Sequence, residues 1–206
     1  MTNLKHCKYI TKHWLSNFTT AIVFIMIVNG VSSQALIESE SAIEDKNIID
    51  IESKLENLQL ASDLNNVPDD WKLLEYKPSD SNEVWFFRKN LGAKSLVGHK
   101  SLPVLVYFTV NFVPKDDSGL PTTTDAGHLY VFEENIIPIV EKETASLLVA
   151  SVLKAGIKDH LFYVSSPDLF LKEIEKYKPA LSSFSVSEDM SYDPNWQAYI
   201  DFPDGS

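Results

Sequence analysis

Asp159 and His160 stand side by side, an acid next to an imidazole, with Lys158 before them. An aspartate that orients an imidazole makes a general base, and a pair of acids can hold a cation. Either use would need a distant acid such as Glu188 or Asp189 to come near. Adjacent side chains on a strand point to opposite faces, so the two can act together only if a bulge re-aims one of them. The simpler reading makes Lys158, Asp159 and His160 turn and edge residues at the mouth of a hairpin. His99 and His128 complete the histidines beyond residue 35, and none has a second ligand at metal-site spacing. His128 and Glu133, five apart, fall on different faces of a helix, and Phe132 is the nearer neighbour of His128. Ser165 and Ser166 lack a G-x-S-x-G elbow and precede Pro167, which suits helix capping. The seven glycines form no phosphate loop. No metal site and no cofactor is expected.

The aromatic residues Trp85, Phe87, Trp196 and Tyr199 form the best candidate binding surface, and Lys158 is a further candidate binding residue. Flat rings bind a carbohydrate or peptide at low entropy cost. On a strand, Trp196 and Tyr199 would face opposite sides, one in the core and one exposed. The plainer alternative is that these rings pack an extended sheet and that Asp193-Pro194 sets the turn before its last strand.

The elements that would position these residues are legible from turn signals and periodicity. Glu83–Arg88 reads as a strand ending at Asn90-Leu91-Gly92, and the apolar, β-branched run Leu102–Val113 as a central strand. A helix should begin near Thr124 with a stripe of Leu129, Phe132, Ile136, Ile139 and Val140, and with a kink or early end at Pro138. Ser146–Leu153 and Leu161–Val164 make a hairpin around Ala155-Gly156. Ser165 or Ser166 caps a second helix with a stripe of Leu169, Phe170, Ile174 and Tyr177. Phe184–Glu188 and Trp196–Phe202 are the last strands. From residue 102 to 190 the order is strand, helix, strand, strand, helix, strand. The expected fold is therefore α+β: a ferredoxin-like split βαβ antiparallel sheet, two helices on one face, and extra N- and C-terminal strands.

This domain, residues 67–206, comes after two other segments. Residues 1–35 read as a secretory signal: Lys5, Lys8 and Lys12, then an apolar run from Thr20 to Val28, then small residues suited to cleavage after Ser33 or Ala35. The run is shorter than the ~20 residues of a spanning helix, so membrane contact is expected only through an uncleaved leader. Residues 36–66 are acidic and free of aromatic residues, and read as a tether, helical in part from Asp45 to Leu60. The protein is expected to be exported, to the periplasm or the medium. Removing the leader leaves 15 basic against 29 acidic residues, a net charge of −14 instead of −11. Such a surface repels phosphate backbones, which excludes nucleic acid as a partner. The one cysteine, Cys7, goes with the leader, so disulfides and thiol chemistry are absent from the mature chain.

The loop Asp117-Ser118-Gly119-Leu120-Pro121-Thr122, the hairpin Gly156–Val164 and above all the ending Asp193-Pro194-Asn195-Trp196-Gln197-Ala198-Tyr199 resemble the bacterial domain of unknown function 695, over residues 70–202. The family often carries Arg where this chain has Lys158. The resemblance implies no activity. Some members are joined to a ferredoxin-like domain similar to the regulator of ribonuclease activity B, which would imply a cytoplasmic regulatory role. An exported chain cannot meet that partner. The sequence thus points to an exported, non-enzymatic binding or regulatory module with an unidentified protein or carbohydrate partner. The alternative is a hydrolase or metal-dependent enzyme using Asp159 and His160 with distant acids.

Overall fold

A computed structural model describes residues 33–205. The expected leader lies outside the described residues except for its last three. Two compact units divide the chain, Met1–Glu56 and Asn57–Ser206. In the first, Ile48, Ile49, Ile51 and Leu55 are exposed on helix α1 (Ser33–Asn65), which contains the Asp45–Leu60 stretch read as helical. Among the described residues no helix is long and apolar enough to cross a membrane.

The second unit is a mixed α/β structure with a six-stranded antiparallel sheet. Its strands are β1 (Trp71–Tyr76), β2 (Trp85–Asn90), β3 (Val104–Asn111), β4 (Ser146–Lys154), β5 (Ile157–Val164) and β6 (Ser185–Tyr192). Their order across the sheet is β1-β2-β4-β5-β3-β6, with every neighbouring pair antiparallel. The four further helices described are α2 (Thr123–Val131), α3 (Ile137–Thr144), α4 (Pro167–Glu175) and α5 (Gln197–Asp201).

Side-chain alternation divides the core into two layers. Val106, Phe108, Val110, Leu148, Phe162 and Val164 pack against Leu129, Phe132, Ile137, Val140, Phe170 and Ile174 from the helices. On the opposite face, Leu105, Val152, Leu161 and Tyr163 are covered by Leu60, by Ala93 and Leu96 of a 3₁₀ segment, and by Trp196, Tyr199 and Phe202.

Two sequence-based expectations are corrected here. Residues 196–202 are not a strand, because the Asp193 carboxylate accepts hydrogen bonds from the Gln197 and Ala198 amides at 2.9 and 3.0 Å and starts helix α5. Trp196 precedes it in the left-handed region, at φ 58°. The second added strand is instead β1, which pairs with β2 from Trp71↔Asn90 to Tyr76↔Trp85. Its Trp-Lys-Leu-Leu-Glu-Tyr sequence does not alternate, because an edge strand need not bury a whole face.

Both helix stripes also shift. Between α2 and α3 a π turn, Phe132–Ile136, inserts one residue, and Pro138 becomes the second residue of α3, where its missing N–H costs nothing. The extra residue rotates α3 relative to α2, so Ile137 is buried and Ile139 is exposed. Ser166 caps α4, accepting from the Leu169 amide at 3.3 Å. Leu169 faces solvent and Glu173 takes the buried position.

Candidate functional site

The acid of the site comes from the helix layer. Phe132 and Glu133 follow the buried Leu129 at i+3 and i+4, on one face of the helix. Here both reach the sheet, and the Glu133 carboxylate sits over strands β2, β4 and β5. Register places Arg88 opposite Ser151, Ser151 opposite His160, and His160 opposite Phe108, so these four share one row of one face. His160 Nε2 meets Glu133 Oε1 at 2.8 Å, and its Nδ1 lies 3.3 Å from the Phe108 carbonyl oxygen. Lys158 Nζ lies 2.8 Å from the same Glu133 oxygen and donates to Ser151 Oγ at 3.1 Å. Arg88 reaches Glu133 Oε2 at 3.6 Å while its guanidinium lies over Trp71 at 4.3 Å.

Burial raises the pKa of Glu133, but the hydrogen bond and charge of His160 and the Lys158 ammonium outweigh it. The carboxyl is held well below the usual carboxylate range. His160 is fully buried and surrounded by Phe108, Phe132 and Phe162. No substrate atom can touch that imidazole without opening the core. The cluster neutralises one buried carboxylate with several donors, and it joins the helix layer to three strands.

Asp159 lies on the other face of β5, as alternation requires, and accepts from Thr109 Oγ1 at 2.7 Å. Asp159 and His160 are therefore not brought together; the acid that meets His160 is Glu133, 27 residues away. Glu188 shares the His160 face by register but pairs with Lys178 at 2.8 Å, and Asp189 lies opposite Tyr107 on the far face. Lys158 is spent on Glu133 and Ser151 and offers no free surface cation. His99 links to Asp63 of α1 at 3.3 Å, and His128 is exposed with its ring edge-on to Phe184.

The aromatic candidates separate. Trp196 is fully buried, stacks on Tyr163 at 4.0 Å between centroids, and donates from Nε1 to the Leu102 carbonyl at 2.9 Å. Tyr199, three residues on and thus on the same face of the helical turn, is buried edge-on to Trp196 and donates to the Asn90 carbonyl at 2.8 Å. These two rings are core, not an exposed platform. Trp85 is half-buried at the start of β2, between Tyr76 and Phe87, with Nε1 donating to Glu83 at 2.7 Å. Among the described residues no group of three or more His, Cys, Asp or Glu side chains is arranged to hold a metal ion.

With both sheet faces covered, the open parts of the sheet are its edges. β6 pairs only with β3. The Asp193 amide continues that ladder to the Pro103 carbonyl at 2.9 Å. By the alternation of antiparallel pairing, the backbone groups of Val186, Glu188, Met190 and Tyr192 then point away from the sheet. The Met190 amide is met by its neighbour Asp189, at 2.9 Å. Met190 and Tyr192 are exposed at 46% and 75%. Sequence reasoning reached only the start of this strand, since Ser185–Tyr192 is mostly polar.

A family model described as a family of unknown function, DUF695, matches residues 69–202. Comparison with curated proteins yielded no match, and comparison with solved structures yielded none.

Proposed function

The chain belongs to the DUF695 family, and from that premise we propose that it is an exported, non-enzymatic binding module that holds an extended basic segment of a partner protein along the free edge of β6. The observation that carries this reading is the edge itself: eight residues paired on one side only, bearing the acidic Asp189, while Glu188 is paired with Lys178. Added strands take affinity from main-chain hydrogen bonds and selectivity from alternate side chains. The Asp189 carboxylate on this edge, in a chain of net charge −11, disfavours pairing with another copy and favours a lysine- or arginine-bearing segment. The buried state of His160 supports a binding role over the hydrolase alternative, in which that ring would have to meet substrate.

The fold we assign to this module is ferredoxin-like. The order β4-β5-β3-β6, with α2–α3 joining β3 to β4 and α4 joining β5 to β6, is that of two interleaved split βαβ units. Export rests on the basic, apolar and small-residue pattern of residues 1–35. Expression of the full chain in a bacterial host, with N-terminal sequencing of the exported fraction, should give a mature start at Gln34 or Leu36.

Titration with a peptide of alternating lysine and valine, followed by amide NMR, tests the edge. The amides of Val186, Glu188, Met190 and Tyr192 should shift together, and Val186→Pro should abolish the effect while leaving the β3 ladder intact, because that N–H points outward. An alternating glutamate–valine peptide should not bind. Shifts confined to another surface, or equal binding of both peptides, would sink the reading.

A further inference from the structure

We propose that the cleft between α1, α3 and β4 is a binding site for a small primary ammonium compound with an apolar body, held by the Glu141 carboxylate. The cleft measures about 480 Å³ and is walled by Leu64, Pro138 and Leu147, with Asn65, Glu141 and Lys142 as its ionic and amide groups. Small-molecule sites commonly enclose roughly 300–1,000 Å³ of mostly apolar wall with a few fixed polar groups.

Glu141 is fixed by a feature of the sheet. β4 bulges between Leu148 and Ala150, and the Leu148 amide donates to Glu141 Oε1 at 2.6 Å. Bulges of this kind re-aim groups beside sites. That bond orients the carboxyl, and Oε2 accepts no hydrogen bond from the described residues. Lys142, one residue further along the helix, also lines the cleft and is exposed. No other titratable side chain lines the cleft.

The chemistry of the ligand is set by this lining. An anion would meet the carboxylate, and a metal ion would find a single acidic ligand where it needs several. Burial pushes the Glu141 carboxyl up to about 7, only partly offset by the Leu148 amide. An ammonium group replaces the lost hydration of the ionised form with a charge-assisted hydrogen bond, and an isobutyl-sized body covers Leu64, Pro138 and Leu147. The site is independent of the β6 edge, so either proposal can fail alone.

Amide NMR of the full chain at pH 8, titrated with 3-methylbutylamine, tests the site. The Leu148 amide should shift saturably, and 3-methylbutanol, which has the same body without the charge, should bind about tenfold or more weakly. Glu141→Gln, whose amide oxygen can still accept from Leu148, should weaken amine binding by about the same factor. Ala61→Phe, an exposed helix position on the cleft wall, should block binding in a folded protein. Equal binding of amine and alcohol, amine binding unchanged in Glu141→Gln, or the absence of a saturable shift would overturn the assignment.

Discussion

His160 Nε2 lies 2.8 Å from Glu133 Oε1, although the two residues are 27 apart in sequence and sit in different layers of the fold. The contact exists because Glu133 follows the buried Leu129 by four residues and so lies on the helix face that packs on the sheet. Lys158 and Arg88 approach the same carboxylate, so a single acid gathers donors from two strands, β2 and β5.

Removing that acid should therefore cost more than a surface charge would. Glu133→Ala leaves Lys158 without its counter-charge and His160 without its hydrogen-bond partner in a largely buried site, and should lower stability by about 3–5 kcal/mol. Glu133→Gln keeps the shape and loses less. Urea unfolding of the two variants and the parent checks the order.

Acid should reveal the same group. Its folded pKa is depressed, so its stabilisation is present above the ordinary glutamate pKa of about 4.3 and is lost as pH falls through and below that value. Unfolding midpoints measured from pH 7 down to pH 3 should fall for the parent and fall less steeply for Glu133→Gln. Parallel curves would contradict this account.

Glu141 should act in the opposite sense. Its folded pKa, about 7, lies above the unfolded value, so the native protein holds a proton that the unfolded chain releases. This contribution is full below about pH 4.3 and is lost as pH rises to about 7, by at most roughly 4 kcal/mol. Glu141→Gln should remove that slope, and above pH 7 it should be more stable than the parent. The same urea series, extended to pH 8.5, measures it.

Asp193 gathers three donors: the Gln197 and Ala198 amides and, at 2.6 Å, the Tyr163 hydroxyl. Burial raises its pKa, but those hydrogen bonds more than offset it and leave it below its ordinary value. Asp193→Ala removes the cap of α5 and strands a phenol, at a cost of about 2–3 kcal/mol. The signal is a lower unfolding midpoint together with a changed near-ultraviolet spectrum from the Tyr163–Trp196 stack.

Gly92 makes a backbone approach that no side chain permits. A Cβ there would lie 2.0 Å from the Pro68 carbonyl oxygen. Gly92→Ala must displace that backbone and should destabilise by about 1–3 kcal/mol, the range of overpacked sites. A thermal melt of the purified variant is sufficient to check it.

The alternation and capping of the central elements are legible in the residues alone. Val104–Val110 and Leu161–Val164 are apolar and β-branched or aromatic, and Ser166-Pro167 marks a helix start, so short-range chemistry places β3, β5 and α4. Family membership is legible too, from the Asp193-to-Tyr199 ending. What that ending does is not. Asp-Pro-x-Trp-x-x-Tyr looks extended because its aromatic residues favour strands, yet Asp193 finds two amides and a phenol and closes a helical turn. Spacing of three then puts both rings on one buried face.

The sequence by itself determined that Asp159 and His160 leave opposite faces of their strand, because a period of two is built into any extended chain. It could not determine what each would meet. That depended on how the helix layer docks on the sheet, on a bulge next to Leu148, and on strand order across the sheet, all of them set by long-range packing. The acid beside His160 came from another layer, and β6 was identified as one of the two edge strands, with β1, only once the strand order was in hand.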